Sequence, residues 1–268
     1  MVIDEKIKSA MSKIKHKIIV ISGKGGVGKS TVSVNLAYFL ALNGRRVGLL
    51  DVDIHGPNIA KLMGIEGQFM TGSEGRIYPV LKDNIKVVSM ASLMTDQELP
   101  IIWRGPLKMK IISQFLGDIE WGELDYLVID SPPGTGDEPL SVIQLIPDID
   151  GSLIVTTPQD VATLDATKTI NFSKTLNIPI IGVIENMSGF ICPNCGAEVN
   201  IFGTGGGERI ASQFNVDFLG SIPLDPKIVK LSDEGKPFVY VMNETPAGKA
   251  MVAIAKYIME KVEKGNGK

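Results

Sequence analysis

The chain alternates short apolar runs with longer stretches of helical periodicity. Runs rich in Val and Ile stand at Lys17–Ser22, Arg46–Asp51, Ile85–Met90, Tyr126–Asp130, Ser152–Thr156, Ile180–Glu185 and Phe218–Ile222. Several are apolar at successive positions, the pattern of strands covered on both faces. Between them the spacing predicts helices over Ser30–Asn43, Asn58–Met63, Leu107–Leu116, Leu140–Leu145, Val161–Leu176, Gly206–Phe214 and Pro246–Val262. Strand alternating with helix means βαβ units, and so a doubly wound α/β fold with a mostly parallel sheet and helices on both faces.

No linker-like stretch divides this pattern. The expectation is one domain over residues 1–268, with residues 1–16 as an N-terminal extension, Gly64–Asn84 as a loop-rich insertion and residues 264–268 as a frayed tail. With 268 residues, 44% of them hydrophobic, the chain can bury a sizeable core. A net charge of −3 argues against a protein that coats nucleic acid or anionic lipid. No run approaches the ~18 apolar residues of a membrane span. The charged start, MVIDEKIKSAMSKIKHK, has no apolar core of a secretory signal, so the expected location is the cytoplasm, with neither nucleic acid nor membrane as partner.

Candidate chemistry begins after the first strand. Gly23-Lys24-Gly25-Gly26-Val27-Gly28-Lys29-Ser30 fits G-x-x-x-x-G-K-[ST], between an apolar strand and a helix. In such a loop, glycines permit positive φ and let oxygens approach, while backbone N–H groups and the helix N-terminus face phosphates. Lys29 is expected at the β- and γ-phosphates, the Ser30 hydroxyl on Mg²⁺ and Thr31 at the α-phosphate. Two further strands end in aspartates, at Asp51 and Asp53 in GLLDVD and at Asp130 in YLVID. Ligands of open α/β sheets bind beyond these carboxyl ends, so Asp130 fits a Walker B position beside Mg²⁺. SPPGTGDEP follows, with prolines that stiffen and glycines that swing, as suits a second switch whose Gly134 N–H meets the γ-phosphate. His55 is read as an ordinary loop residue.

One lysine exceeds the minimal pattern. KGG-x-GK[ST], as it stands here, resembles the deviant P-loop ATPases, which include Mrp/ApbC-type carriers, MinD-type ATPases and the nitrogenase iron protein. That resemblance implies that Lys24 crosses a dimer interface to the partner's nucleotide, where a second cation offsets charge during phosphoryl transfer. It implies that Asp53, in DVDIHGPN, positions the attacking water and that Asp51 supports the Mg²⁺ shell. It also implies that Asn186, in VIENMSG, reads the adenine edge, and that SIPLDP, with Pro223 and Asp225, closes over the base. No guanine motif of the NKxD type is seen, which favours ATP. WRGP (Trp103–Pro106) and TTPQDVA (Thr156–Ala162) look like family signatures without an assigned role.

The chain has two cysteines, Cys192 and Cys195 in CPNC. Such a pair can chelate one metal or hold two corners of a cluster. A homodimer is the economical way to four sulfurs, which could bind a [4Fe–4S] cluster on the two-fold axis. Zinc across the dimer, a thiol–disulfide pair and a structural role remain as alternatives. From about Lys17 to the C-terminal helix the chain resembles the Mrp/ApbC-type iron–sulfur cluster carrier ATPases, through GKGGVGKST, DVDIHGPN, WRGP, IDSPPGTGD, ENMSGFICPNCG and IPLDP. The resemblance implies a slow, switch-like ATPase that loads a cluster on Cys192 and Cys195 and delivers it to apo-proteins. No second, N-terminal cluster is expected. The rival is a MinD/ParA-like positioning ATPase, whose membrane helix could be the stripe Met251, Ile254, Ile258 and Val262. Such a stripe is more often the last helix packed on a sheet.

Overall fold

The computed structural model describes residues 4–54, 56–73, 76–93, 105–192 and 194–265. His55 and the Trp103 end of WRGP lie outside the described residues. In chain order the elements are α1 (Glu5–Met11), β1 (Ile14–Ile21), α2 (Lys29–Leu42), β2 (Val47–Asp51), α3 (Ile59–Leu62), β3 (Thr71–Ser73), β4 (Arg76–Tyr78), β5 (Val80–Lys82) and β6 (Ile85–Ser89). They continue with α4 (Gly105–Gly117), β7 (Leu124–Asp130), α5 (Asp137–Leu145), β8 (Gly151–Thr156), α6 (Asp160–Thr175), β9 (Ile180–Ile191) and β10 (Glu198–Val199). The last are α7 (Gly206–Phe214), β11 (Phe218–Leu224), α8 (Pro226–Asp233), α9 (Phe238–Val241) and α10 (Pro246–Gly265).

A nine-stranded sheet runs β10-β9-β8-β1-β7-β2-β6-β5, with β11 also on β9. The pairs β1–β7, β1–β8, β2–β6, β2–β7, β8–β9 and β9–β11 are parallel; β5 and β10 join antiparallel at the margins. After β1 the chain winds to β2, β6 and back to β7; after β8 it winds the other way, to β9 and β11. The loop after β1 therefore stands at the switch point of the sheet, where a crevice opens.

Side chains of each central strand alternate between two cores. Ile18 and Val20 of β1, Leu49 of β2 and Val128 of β7 join α2, α9 and α10. Ile19 and Ile21, Leu50, and Leu127 and Ile129 join α1, α4 and α5 on the other face. Continuous apolar strands follow from cover on both faces. The α10 stripe is committed to the first core: Met251, Ile254, Ile258 and Val262 are all buried, and α10 packs on β11 and α2. Each such fully buried side chain contributes about 1.5–3 kcal/mol, so the stripe is not a free membrane-binding face.

Several elements differ from expectation. Residues 4–16, read as an extension, carry α1, capped by the Asp4 side chain and buried at Ile7 and Met11. Strand β9 does not stop at Glu185 but continues to Ile191, through Met187 and Gly189 with positive φ. The segment after β11 is helix α8, with Asp225 as its cap and Pro226 at its first turn. Of the tail expected to fray, Lys264 and Gly265 close α10, and residues 266–268 lie outside the described residues.

Candidate functional site

At the carboxyl end of β1 the chain turns sharply into α2. Gly26 (φ 79°) and Gly28 (φ 84°) hold the left-handed conformations that glycine allows. A Cβ on Gly28 would strike the Asn186 amide, and one on Gly23 would strike the Asp165 backbone of α6. The loop thus fits its surroundings only without side chains at these points. Gly28 precedes the first turn of α2, so the unpaired N–H groups of that turn face the crevice. Gly25, Gly26, Gly28, Lys29, Ser30 and Thr31 line a cavity of about 330 Å³, while Val27 is buried.

Beneath the cavity floor lies a buried polar cluster. Lys29 Nζ is 2.7 Å from Asp130 Oδ2, and both residues are almost inaccessible. Ser30 Oγ donates to the same oxygen at 2.6 Å, and Ser33 Oγ donates to Oδ1 at 2.6 Å. Asp130 is thereby saturated, as a buried carboxylate has to be. Lys29, whose expected role is at the phosphates, here has its ammonium paired with Asp130, as a buried cation needs a partner.

Parallel pairing of β2 with β7 sets Asp51 opposite Asp130. Asp51 is fully buried, and it accepts from Ser89 Oγ at 2.9 Å and from the Asp53 and Ile59 N–H groups. Burial, then the nearby Asp130 charge, raise its pKa well above the usual carboxylate range. Asp53 lines the cavity and accepts from Gly56 N–H at 3.2 Å; burial raises its pKa too. The Gly134 N–H, expected toward a γ-phosphate, donates at 2.8 Å to the Ser22 carbonyl, because the SPPG turn folds back on the end of β1. Lys24 Nζ rests 3.5 Å from Gln159 Oε1, within the TTPQDVA segment that had no assigned role.

Asn186 Nδ2 donates to the Val27 carbonyl at 2.9 Å, so β9 grips the phosphate loop directly from mid-strand. Pro223 and Asp225, expected over the base, line a different cavity of about 270 Å³ with Ile191 and the start of α10. Asp225 is engaged as the cap of α8, accepting from Lys227 N–H at 2.9 Å. The cavity wall facing the loop holds Lys61 and Leu62 of α3 and Ser232 and Asp233 at the end of α8, which the sequence did not single out. No motif marks them; they arrive through the close approach of Gly64 and Gly235 backbones between these helices.

Past Asn186, β9 leads into a hairpin with β10, in which Ile191 pairs with Glu198. Cys192 and Cys195 sit at its tip, half-buried and exposed respectively, and both are free thiols. The turn is closed by Cys192 N–H to Ala197 C=O (2.9 Å) and Gly196 N–H to Cys192 C=O (2.8 Å). The backbone N–H groups of Asn194 and Cys195, and then the Cys195 thiol, donate toward Cys192 Sγ and lower its pKa. Donors aimed at one sulfur favour its thiolate, the form that binds metal. Among the described residues no group of three or more His, Cys, Asp or Glu side chains is placed to hold a metal ion, so the thiols stand as a pair.

Comparison with known proteins bears on both centres. A family described as NUBPL iron-transfer P-loop NTPase matches residues 13–259. A relative from Methanocaldococcus jannaschii is 57% identical over 97% of this chain and 89% of its own length. Another from Saccharolobus solfataricus is 50% identical over 97% and 88%, and both carry the name iron–sulfur cluster carrier protein. Among solved structures, a nucleotide-binding protein of Archaeoglobus fulgidus in complex with ADP, with cobalt found, is 41% identical, covers 90% of this chain and 94% of that one, and superposes with a TM-score of 0.78. The cell division ATPase MinD of Pyrococcus furiosus is 25% identical over 92% and 99%, with a TM-score of 0.67. With the loop, the paired aspartates and the sheet order on one side, and a match over nearly the whole chain on the other, this protein belongs to the family of NUBPL-type iron-transfer P-loop NTPases.

Proposed function

We propose that two copies of this chain carry an iron–sulfur cluster between them and control its hold by binding and hydrolysing ATP. The observation that carries this reading is the free thiol pair at the tip of a hairpin whose root strand is bonded to the phosphate loop. One chain offers two sulfurs, and a [4Fe–4S] cargo takes four cysteine ligands, so a second copy completes the set. Exposed apolar side chains flank the thiols: Ile191, Val199 and Ile201 are each about half accessible (51%, 46% and 52%), as suits a surface that meets another chain. Zinc takes the same donors and is the second reading. A membrane-positioning ATPase of the MinD kind is disfavoured by the buried α10 stripe.

Each loop residue has a part in this reading. Gly23–Gly28 and the first turn of α2 cradle the phosphates of ATP, with Thr31 at the α-phosphate. Lys29 leaves Asp130 for the β- and γ-phosphates. That exchange frees Asp130 and the Ser30 hydroxyl, hard oxygen donors that fit Mg²⁺, with Asp51 behind them. The ion supplies charge neutralisation at the phosphates when bound. Asp53 orients water against the γ-phosphorus; the water O–P bond forms as the bond from the γ-phosphorus to the β-phosphate oxygen breaks, ADP and inorganic phosphate leave, and Lys24 of the partner copy offsets the charge that builds. Asn186 borders the adenine, and Pro223 and Asp225 close over it only if the turn before α8 moves. Hydrolysis relaxes residues 51–58 and 131–137. We place the protein in the reducing cytoplasm, where exposed thiols stay free, and its acceptors are apo iron–sulfur proteins.

The test is transfer. Protein loaded with iron and sulfide is mixed with an apo-enzyme that requires a [4Fe–4S] cluster, with and without Mg–ATP. Restored activity of the acceptor, faster than from free iron and sulfide, is expected. An acceptor that recovers only at the rate of free ions sinks the carrier reading.

A further inference from the structure

GTGGG, at residues 203–207, looks like a second anion-binding turn. Gly203 and Gly205 have positive φ, and Gly206 opens α7. Its occupant is internal. The side chain of Glu185, fully buried, accepts from Gly205 N–H at 2.9 Å and from Gly207 N–H at 2.6 Å. It also accepts from Ser188 Oγ at 2.6 Å and Ser221 Oγ at 3.3 Å. The turn is shaped around it. A Cβ on Gly207 would lie 3.0 Å from Glu185 Cβ, and one on Gly206 would lie 2.7 Å from Thr163 Cγ2.

These contacts have a plain topology. The arm that carries the cysteines starts within β9 just past Ser188, and the chain comes back to the sheet at Gly205. Glu185 holds both of those roots, through Ser188 on the way out and Gly205 and Gly207 on the way back. Its neighbour Asn186 holds the Val27 carbonyl of the phosphate loop. Two adjacent residues thus tie the roots of the hairpin to the phosphate loop. The returning turn also packs on Pro158, beside Gln159, where Lys24 rests.

We propose that Glu185 is a positioning residue that makes the cysteine hairpin move as one body with the phosphate loop, so that nucleotide binding resets the two thiols. The inference rests on the nucleotide-driven carrier reading and gives it a physical link. When phosphates enter the loop and Val27 shifts, Asn186 follows, and Glu185 carries both roots of the hairpin with it. Without the Glu185 clamp the same shift is absorbed in the glycines, and the thiols no longer sense the nucleotide.

Thiol alkylation reads this directly, because Cys192 and Cys195 are the chain's only cysteines. Reduced, cluster-free protein is treated with iodoacetamide, with and without Mg²⁺ and a non-hydrolysable ATP analogue, while analogue binding is measured separately by calorimetry. The wild-type rate is expected to change about 5-fold or more on binding, the scale of ordinary coupling between sites. Glu185→Gln keeps the shape, weakens the bonds to Gly205 and Gly207, and should bind the analogue normally while its alkylation rate stays flat. Ser188→Ala, which removes one root only and threatens folding less, should give an intermediate response. Wild-type binding without a change in rate overturns the link alone, as does a full response in both variants. Failure of the wild type to bind the analogue overturns the ATP control on which the link rests, while cluster carriage itself stands or falls with the transfer test.

Discussion

Lys24 Nζ lies 3.5 Å from Gln159 Oε1, beside the phosphate loop and at the entrance to α6. The contact is long and joins a cation to a neutral amide, so it holds Lys24 only lightly. A lysine kept at the rim in this way is free to leave for a stronger partner. Lys24→Ala should therefore bind ATP as the wild type does but hydrolyse it about 10³-fold more slowly, the lower end of what a charge supplied in trans contributes. Phosphate release with parallel binding measurements checks this. Equal losses in both would mean that Lys24 serves its own loop only.

Lys29 and Asp130 form a different kind of pair, buried and charge-assisted. Removing one partner strands the other, at a cost of about 3–5 kcal/mol. Lys29→Ala should lose both ATP binding and that much stability in urea denaturation. The double variant Lys29→Ala/Asp130→Asn should regain most of the stability and none of the binding. Binding that survives Lys29→Ala would remove the loop's assigned role.

Asp53 faces the cavity, whereas Asp51 is spent on Ser89, Ile59 and the Asp53 backbone. The two aspartates should separate by experiment. Asp53→Asn keeps the fold and ATP affinity and slows hydrolysis by about 10²-fold or more, the cost of a misplaced attacking water. Asp51→Asn should lower melting temperature and Mg²⁺ dependence together. Matching behaviour of the two variants would contradict the division.

Acid stability should depend on Asp125, at the opposite end of the sheet. Hydrogen bonds from Arg46 first, with Lys15 also contributing, hold its pKa well below the usual carboxylate value. A depressed folded pKa means stability that is present above about pH 4 and is lost as pH falls below it. Asp125→Asn should therefore be less stable than wild type at pH 7, with the gap closing as pH falls below about 4. A gap independent of pH would assign the effect to packing.

The central strands were legible because burial on both faces leaves an unbroken apolar run, as at Ile18–Ile21. The phosphate loop was legible because its glycines serve local backbone geometry that sequence records. The extension of β9 beyond Glu185 was not, since NMSG reads as a turn and that extension depends on β10 and β11 pairing with Phe190 from either side. Helix α8 starts at Asp225-Pro226, a helix-start signal that in SIPLDP coincides with the resemblance to a base-binding loop. Glu185 could not be read at all: an acidic residue ending a strand says nothing of the glycine turn that will fold around it. Lys61 and Ser232 reach the cavity wall only through tertiary approach of two helices.

The central claim is that two chains share one cluster through Cys192 and Cys195. Anaerobic reconstitution with iron and sulfide, of the wild type and of Cys192→Ser/Cys195→Ser, tests it with the fewest assumptions. Iron, acid-labile sulfide and molecular mass are measured on the same sample. About four iron and four sulfide per dimer in the wild type, and almost none in the variant, is the expected result. Iron bound without sulfide, or equal uptake by the variant, would contradict the account and leave zinc as the metal for this thiol pair.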